Sequence, residues 1–232
     1  MRKVILLVIA VYALFFAATA KNAAAQDDKW TRLVAESGRV LAEVQDMPDQ
    51  KVPEDLLRKC AGIAVFPSTM SGGFVIGGRY GQGIIMARNE RTGGWSSPAI
   101  FTMAGGSFGW QIGGQATDFI LLIMNRRSID GLLQGKFKLG VDASAAAGPV
   151  GRAADASTDI QLKGGILSYS RSRGLFAGAK LEGDAITPQY EANRALYGNT
   201  FSEREIVFEN KAPMPRCADL LLSTLNRYTY KR

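Results

Sequence analysis

The sequence predicts an α+β fold in which a glycine-rich, strongly curved antiparallel sheet, close to a barrel, is flanked by N-terminal and C-terminal helices. Three observations carry that expectation. Apolar residues recur at helical spacing toward both ends of the chain. Between Gly62 and Gly183 they form short or alternating runs broken by glycine instead. Those runs follow one another without the long helical spacers that a parallel sheet needs.

From Trp30 to Met47, the residues Leu33, Val34, Val40, Leu41, Val44 and Met47 recur at three-, four- and seven-residue steps, with Asp27 and Asp28 ahead of them as caps. This is an amphipathic helix. Its stripe suits a membrane surface or the domain's own sheet, and the sheet is the commoner use. Pro53 suits the first turn of a short second helix over 53–61, which ends at Gly62. The following runs, "GIAVFPS", "GGFVIGGRYGQGIIMAR", "AIFTMAGGSFGWQIGGQATDFILLIMN", "GKFKLGVDASAAAGPVG" and "GILSYSRSRGLFAGAKLEG", hold too many glycines for helices of useful length. Strands use such glycines at bulges and close approaches. A short helix over 126–135, capped by Ser128, interrupts the series, and helical patterning returns over 188–198 and 215–230. No fixed period or low-complexity linker divides the chain, so residues 26–232 read as a single domain.

Residues 1–25 read as a signal peptide. Arg2 and Lys3 precede an uncharged apolar run from Val4 to Ala18, shorter than the ~20 residues that a membrane-spanning helix needs. Small residues follow at Ala23-Ala24-Ala25, and cleavage there leaves Gln26 first. The segment carries three basic residues and no acid, so its removal lowers the formal charge from +7 to +4. That mild balance permits contact with anionic surfaces but is far from the dense Lys/Arg clustering of a nucleic-acid binder.

The chain has two cysteines, Cys60 and Cys217, and no histidine. An oxidising compartment would let the cysteines pair if the fold brings them together. The missing histidine removes Ser-His-Asp and Cys-His nucleophile pairs, imidazole acid/base work and His-ligated metals. No glycine string has the spacing of a phosphate loop or dinucleotide site, and no cofactor is expected. The acids Asp118, Asp142, Asp155, Asp159, Glu182 and Asp184 show no metal-loop spacing and suit backbone capping or pairing with arginine. A hydrolase using Asp118 or Asp159 is the weakest reading.

Basic residues are more informative. Arg126 and Arg127, Lys136 and Lys138, and Arg171, Arg173 and Lys180 lie in segments that a sheet could gather on one rim, and strand alternation puts Tyr169, Arg171 and Arg173 on one face. Such a rim holds an anionic head group or is a solvated face paired to the acids above.

The ordered blocks "CAGIAVFPS", "GGFVIGGRYGQGI", "GGWSSPAIF", "GGSFGWQIGGQATDFILLIMN", "GVDASAAAGPVGRAADASTDI" and "SYSRSRGLFAGAKLEG" closely resemble the SYLF lipid-binding domain family. The likeness runs from about Trp30 to Tyr228. It implies a non-enzymatic domain. Eukaryotic members of that family are linked to phosphoinositides, membrane remodelling and, in yeast relatives, actin. An export signal and the lack of an attached SH3 or FYVE module mark this chain as an exported bacterial member, for which a bacterial anionic lipid is the more natural ligand and actin an unsuitable partner.

The expectation is therefore a lipid-binding domain of the bacterial cell envelope, periplasmic or secreted and peripheral on a membrane. Its head-group residues would be Arg126, Arg127, Arg171, Arg173 and Lys180. The rival is a structural or protein-interaction module of the envelope with no lipid ligand.

Overall fold

The computed structural model describes residues 28–48, 50–109, 115–135, 137–151, 165–172 and 174–229, with the backbone alone at 73–76 and 107–109. Residues 1–25, expected to be a signal peptide, lie outside the described residues. Helix α1 spans 28–45, and its stripe of Trp30, Val34, Val40, Leu41 and Val44 is buried against the sheet. Of the two uses open to that stripe, the domain's own core takes it. Helix α2 (Glu54–Lys59) starts behind Pro53 and buries Leu56 and Leu57 in the same layer.

Strand β1 (Gly62–Ala87) is a ribbon of two antiparallel arms. Arg88 donates its N–H to Ala61 O at 2.7 Å, and a Cβ on Gly83 would strike Val65 O and the Phe66 ring, while one on Gly81 would strike Thr69. Glycine is needed at both positions because the facing arm occupies the side-chain space. A bulge falls between Phe66 and Thr69. There Pro67 has no N–H to give, and Ser68 sits at φ 46° with its N–H donated to Asp118 Oδ1 at 2.8 Å.

Strands β2 (Ala99–Gly109) and β3 (Gln115–Ile123) flank the ribbon. Helix α3 (Arg126–Leu133) follows, then β4 (Phe137–Lys138), β5 (Ala145–Ala147), β6 (Ile166–Ser172), β7 (Leu175–Gly178) and β8 (Ala185–Pro188). The sheet runs β4-β8-β2-β1-β3-β6-β5, with β7 also on β6. Its pairs are antiparallel except β5 with β6, so the curled sheet is mixed. The parallel pair arises because segment 137–147 starts on β8, turns through the Leu139–Ala143 bridge and ends on β6, drawing the two edges of the sheet together.

Both faces of the sheet are covered. Ile63, Val65, Ile84, Met86, Ile120 and Leu122 face α1, α2 and the last helix. Ala64, Phe66, Ile85, Phe101, Leu121 and Ile123 face α3 and the short segment that carries Ile206 and Val207. Two-sided burial explains why "DFILLIM" is a continuous apolar run rather than an alternating one.

Helix α4 (Tyr190–Tyr197) ends at Gly198 in the left-handed region, φ 63°. Helix α5 (Glu203–Val207) is absent from the sequence reading, although Ser202 and Glu205 form a full capping box. A 3₁₀ turn (Arg216–Ala218) leads into α6 (Asp219–Thr229). The cap of α3 is Asn125, whose side chain accepts from the Ser128 N–H at 2.8 Å, and not Ser128 itself.

Asn193 joins α4 to the sheet. Its Oδ1 accepts from Ile100 N–H at 2.7 Å and its Nδ2 donates to the buried Glu203 at 3.2 Å, while burial raises the Glu203 carboxyl above its ordinary range. Replacing Asn193 by alanine strands a buried amide and a buried carboxyl. The expected loss is about 2–4 kcal/mol, read as a lower urea midpoint at unchanged m.

Candidate functional site

The basic residues expected on one rim are dispersed, and their partners decide their roles. Arg171 reaches from β6 to Asp118 on β3, with Nε and Nη2 at 2.9 and 2.8 Å, and to Glu43 on α1. Its side chain is only 18% exposed, so it is a clamp between sheet and helix. Lys180 is exposed and pairs with Glu182 at 3.0 Å. Arg173 and Lys136 lie outside the described residues.

Arg126 and Arg127 open α3, and both are exposed. They line different hollows. Arg127 borders a wide, open cleft of about 750 Å³ with Asp130, Asp142 and Phe137. Arg126 lies over the Phe208 ring, 4.0 Å from its centroid, at a notch of about 270 Å³ shared with Arg88, Glu90, Arg91 and Asn210. Arg204 stands 5.5 Å from the centroid of the same ring.

Hydrogen bonds fix one wall of the notch. Arg88 is consumed by structure: its guanidinium donates to the carbonyls of Gly93, Arg58 and Thr229. Asn89 Oδ1 caps the turn beside it, accepting from the N–H groups of Arg91 and Thr92 at 2.9 and 3.2 Å. Asn210 takes φ 51°, which asparagine tolerates better than most residues. Among the described residues, Arg126 and Arg91 form no ion pair with any carboxylate. An arginine held on an aromatic face, its N–H fork unclaimed among the described residues, suits a phosphate or carboxylate oxygen pair. The sequence reading found Arg126 and missed Arg91, Phe208 and Asn210. Their signal was the "RNER" turn, which has no meaning until the α5 region folds beside it.

The acids are structural where described. Asp118 holds Arg171, Asp142 accepts the Lys138 N–H at 2.7 Å, Glu182 pairs with Lys180, and Asp184 pairs with Arg79 at 2.5 Å. Asp155 and Asp159 lie outside the described residues. No group of three or more metal-ligating side chains occurs among the described residues. Cys60 and Cys217 are both free thiols, so the pairing open to them in the sequence is not formed. Cys60 is buried, donates to Leu57 O at 3.2 Å, and is pushed up to about 12 by burial, which leaves an inert thiol. No helix among the described residues is long and apolar enough to cross a membrane.

These features define an α+β domain built on a curled glycine-rich sheet, with an arginine notch where two of its helices meet. A family described as Ysc84, Las17-binding protein actin regulator, matches residues 104–228. Protein YSC84 of Saccharomyces cerevisiae is 35% identical over 180 residues, covering 76% of this chain and 38% of its own length. LAS seventeen-binding protein 3 of the same yeast is 36% identical over 170 residues, 72% of this chain and 37% of that protein. SH3 domain-containing YSC84-like protein 1 of Homo sapiens is 31% identical over 185 residues, 79% of this chain and 53% of that protein. The chain belongs to the Ysc84, or SYLF, family. It spans about two fifths of the length of the yeast relatives and about half that of the human one. The family description and the name of LAS seventeen-binding protein 3 denote binding and regulation rather than a reaction, in keeping with a non-enzymatic domain.

Proposed function

We propose that the chain is a lipid-associating domain of the bacterial cell envelope, exported to the periplasm or secreted and peripheral on a membrane. It holds the anionic head group of a phospholipid at the Arg126 notch. The observation that carries this reading is the Arg126 guanidinium over Phe208, beside Arg91, with no carboxylate partner for either arginine among the described residues. The leader pattern of Arg2, Lys3 and Val4 to Ala18 supports export. Actin is not a suitable partner for a chain that leaves the cytoplasm.

The test is co-sedimentation of the processed, exported protein with phosphatidylethanolamine vesicles, with and without phosphatidylglycerol or cardiolipin, at low and high salt. Binding should need the anionic lipid and fade with salt. Arg126→Glu should weaken it at least tenfold at low salt, since a surface charge beside an anionic membrane contributes ~1 kcal/mol and reversal doubles the change. Unchanged binding by Arg126→Glu would remove the notch from the reading.

The names of relatives that bind Las17 favour a second reading: an interaction module with a protein partner. A crosslinked envelope protein, together with no binding to either vesicle, would decide for it.

A further inference from the structure

The central ribbon outruns the helices that cover it. Tyr80 pairs with Ala104, and Met70 pairs with Ala116. The facing of Thr69 by Gly81 sets Met70 opposite Tyr80, so these four residues form one row across the sheet on the side that α1 covers further down. All four are exposed, Met70 at 55% and Tyr80 at 56%. One row outward, Gly78 pairs with Gly106, and a Cβ on either would meet nothing within 4 Å. One row inward, Asp118 and the α1 residue Glu43 both engage Arg171, so the charges bordering the bare face are already paired with each other.

Strand spacing makes this face roughly 15 Å by 14 Å, on the order of 200 Å². A stable homodimer needs about 800 Å² per partner, so a second copy does not fit the area. A bilayer does. A small apolar insertion suffices when head-group attraction adds to it. Tyrosine settles at the head-group level, methionine adapts to irregular apolar surroundings, and the side-chain-free glycine row lets the sheet lie close. We propose that this end of the ribbon enters the interfacial zone of a phospholipid bilayer, with Met70 and Tyr80 as the inserted side chains. The proposal rests on the lipid reading above and adds a second contact to it, apolar where the Arg126 notch is ionic.

The experiment compares the processed wild-type protein, Arg126→Glu and the double variant Met70→Ser, Tyr80→Ser on phosphatidylethanolamine:phosphatidylglycerol vesicles at low and high salt. Both changed positions in the double variant are exposed, so its melting temperature should match the wild type. Its partition should be at least tenfold weaker, and the deficit should persist at high salt, where the arginine contribution is screened. Equal partition of the double and wild-type proteins overturns the insertion while leaving the head-group reading intact if Arg126→Glu still fails. A wild-type protein that binds no vesicle overturns both. A double variant that loses a dimer but keeps its partition overturns the insertion in favour of a second copy.

Discussion

Replacing Asp184 by alanine is expected to lower the melting temperature by roughly 10–15 °C, from a loss of about 3–5 kcal/mol in a domain of this size. Asp184 is buried between β7 and β8, and its Oδ2 meets Arg79 Nη1 of β1 at 2.5 Å, with the Arg79 side chain 16% exposed. Removing the carboxylate leaves a guanidinium facing the Phe119 ring, 5.1 Å from its centroid, without a counter-charge. Gly105 belongs to the same device, because a Cβ there would overlap Asp184 Oδ1, so Gly105→Ala should cost a similar amount. Burial raises the Asp184 carboxyl above its ordinary range, with Arg79 pulling it back. A raised folded value means that the proton-linked part of Asp184's contribution, set by burial and separate from the counter-charge it gives Arg79, is present below the unfolded carboxylate range and is lost as pH rises through the folded value. The melting temperature of the wild type relative to Asp184→Asn should therefore fall across that window. A scan of both proteins from pH 3 to neutrality checks the sign, and an Asp184→Ala protein that melts within 2–3 °C of wild type would show that the pair is dispensable.

Gly148→Ala is the second large effect. The hydroxyl end of the Tyr169 ring of β6 lies over Gly148, the ring stacked on Phe176 at 5.3 Å between centroids, and an added Cβ would stand 2.1 Å from Tyr169 Cζ. Rings packed in a core cannot retreat without opening a gap elsewhere, so the expected loss is about 3 kcal/mol, read by chemical denaturation and by near-ultraviolet dichroism of the displaced tyrosine. Tyr169→Phe is the contrast. The Tyr169 hydroxyl is buried without a hydrogen-bond partner among the described residues, so its removal should leave stability unchanged or slightly higher.

The elements that were legible in the sequence are those whose signals are local. The first helix shows its stripe, the glycine-broken runs are strands, and Gly198 ends α4 where the pattern stops. Helix α5 was equally local, through Ser202 and Glu205, but five residues are too few to show an apolar period. The cap of α3 moved from Ser128 to Asn125 because either residue type can cap and only the backbone path selects one.

The basic residues expected to meet a head group were legible only by type. Alternation along β6 correctly put Arg171 on the face of Tyr169, but nothing local announced that Asp118, 53 residues away, and Glu43, 128 residues away, would claim it. Arg126 kept its guanidinium for the notch because the segment carrying Phe208 folds against α3 with an aromatic ring rather than a carboxylate. Sequence by itself determined the class of fold, the absence of imidazole chemistry and the family. Tertiary structure alone decided which charges are neutralised and which stay available, because the field at a side chain is set by neighbours within a few ångströms, and those neighbours come from distant parts of the chain.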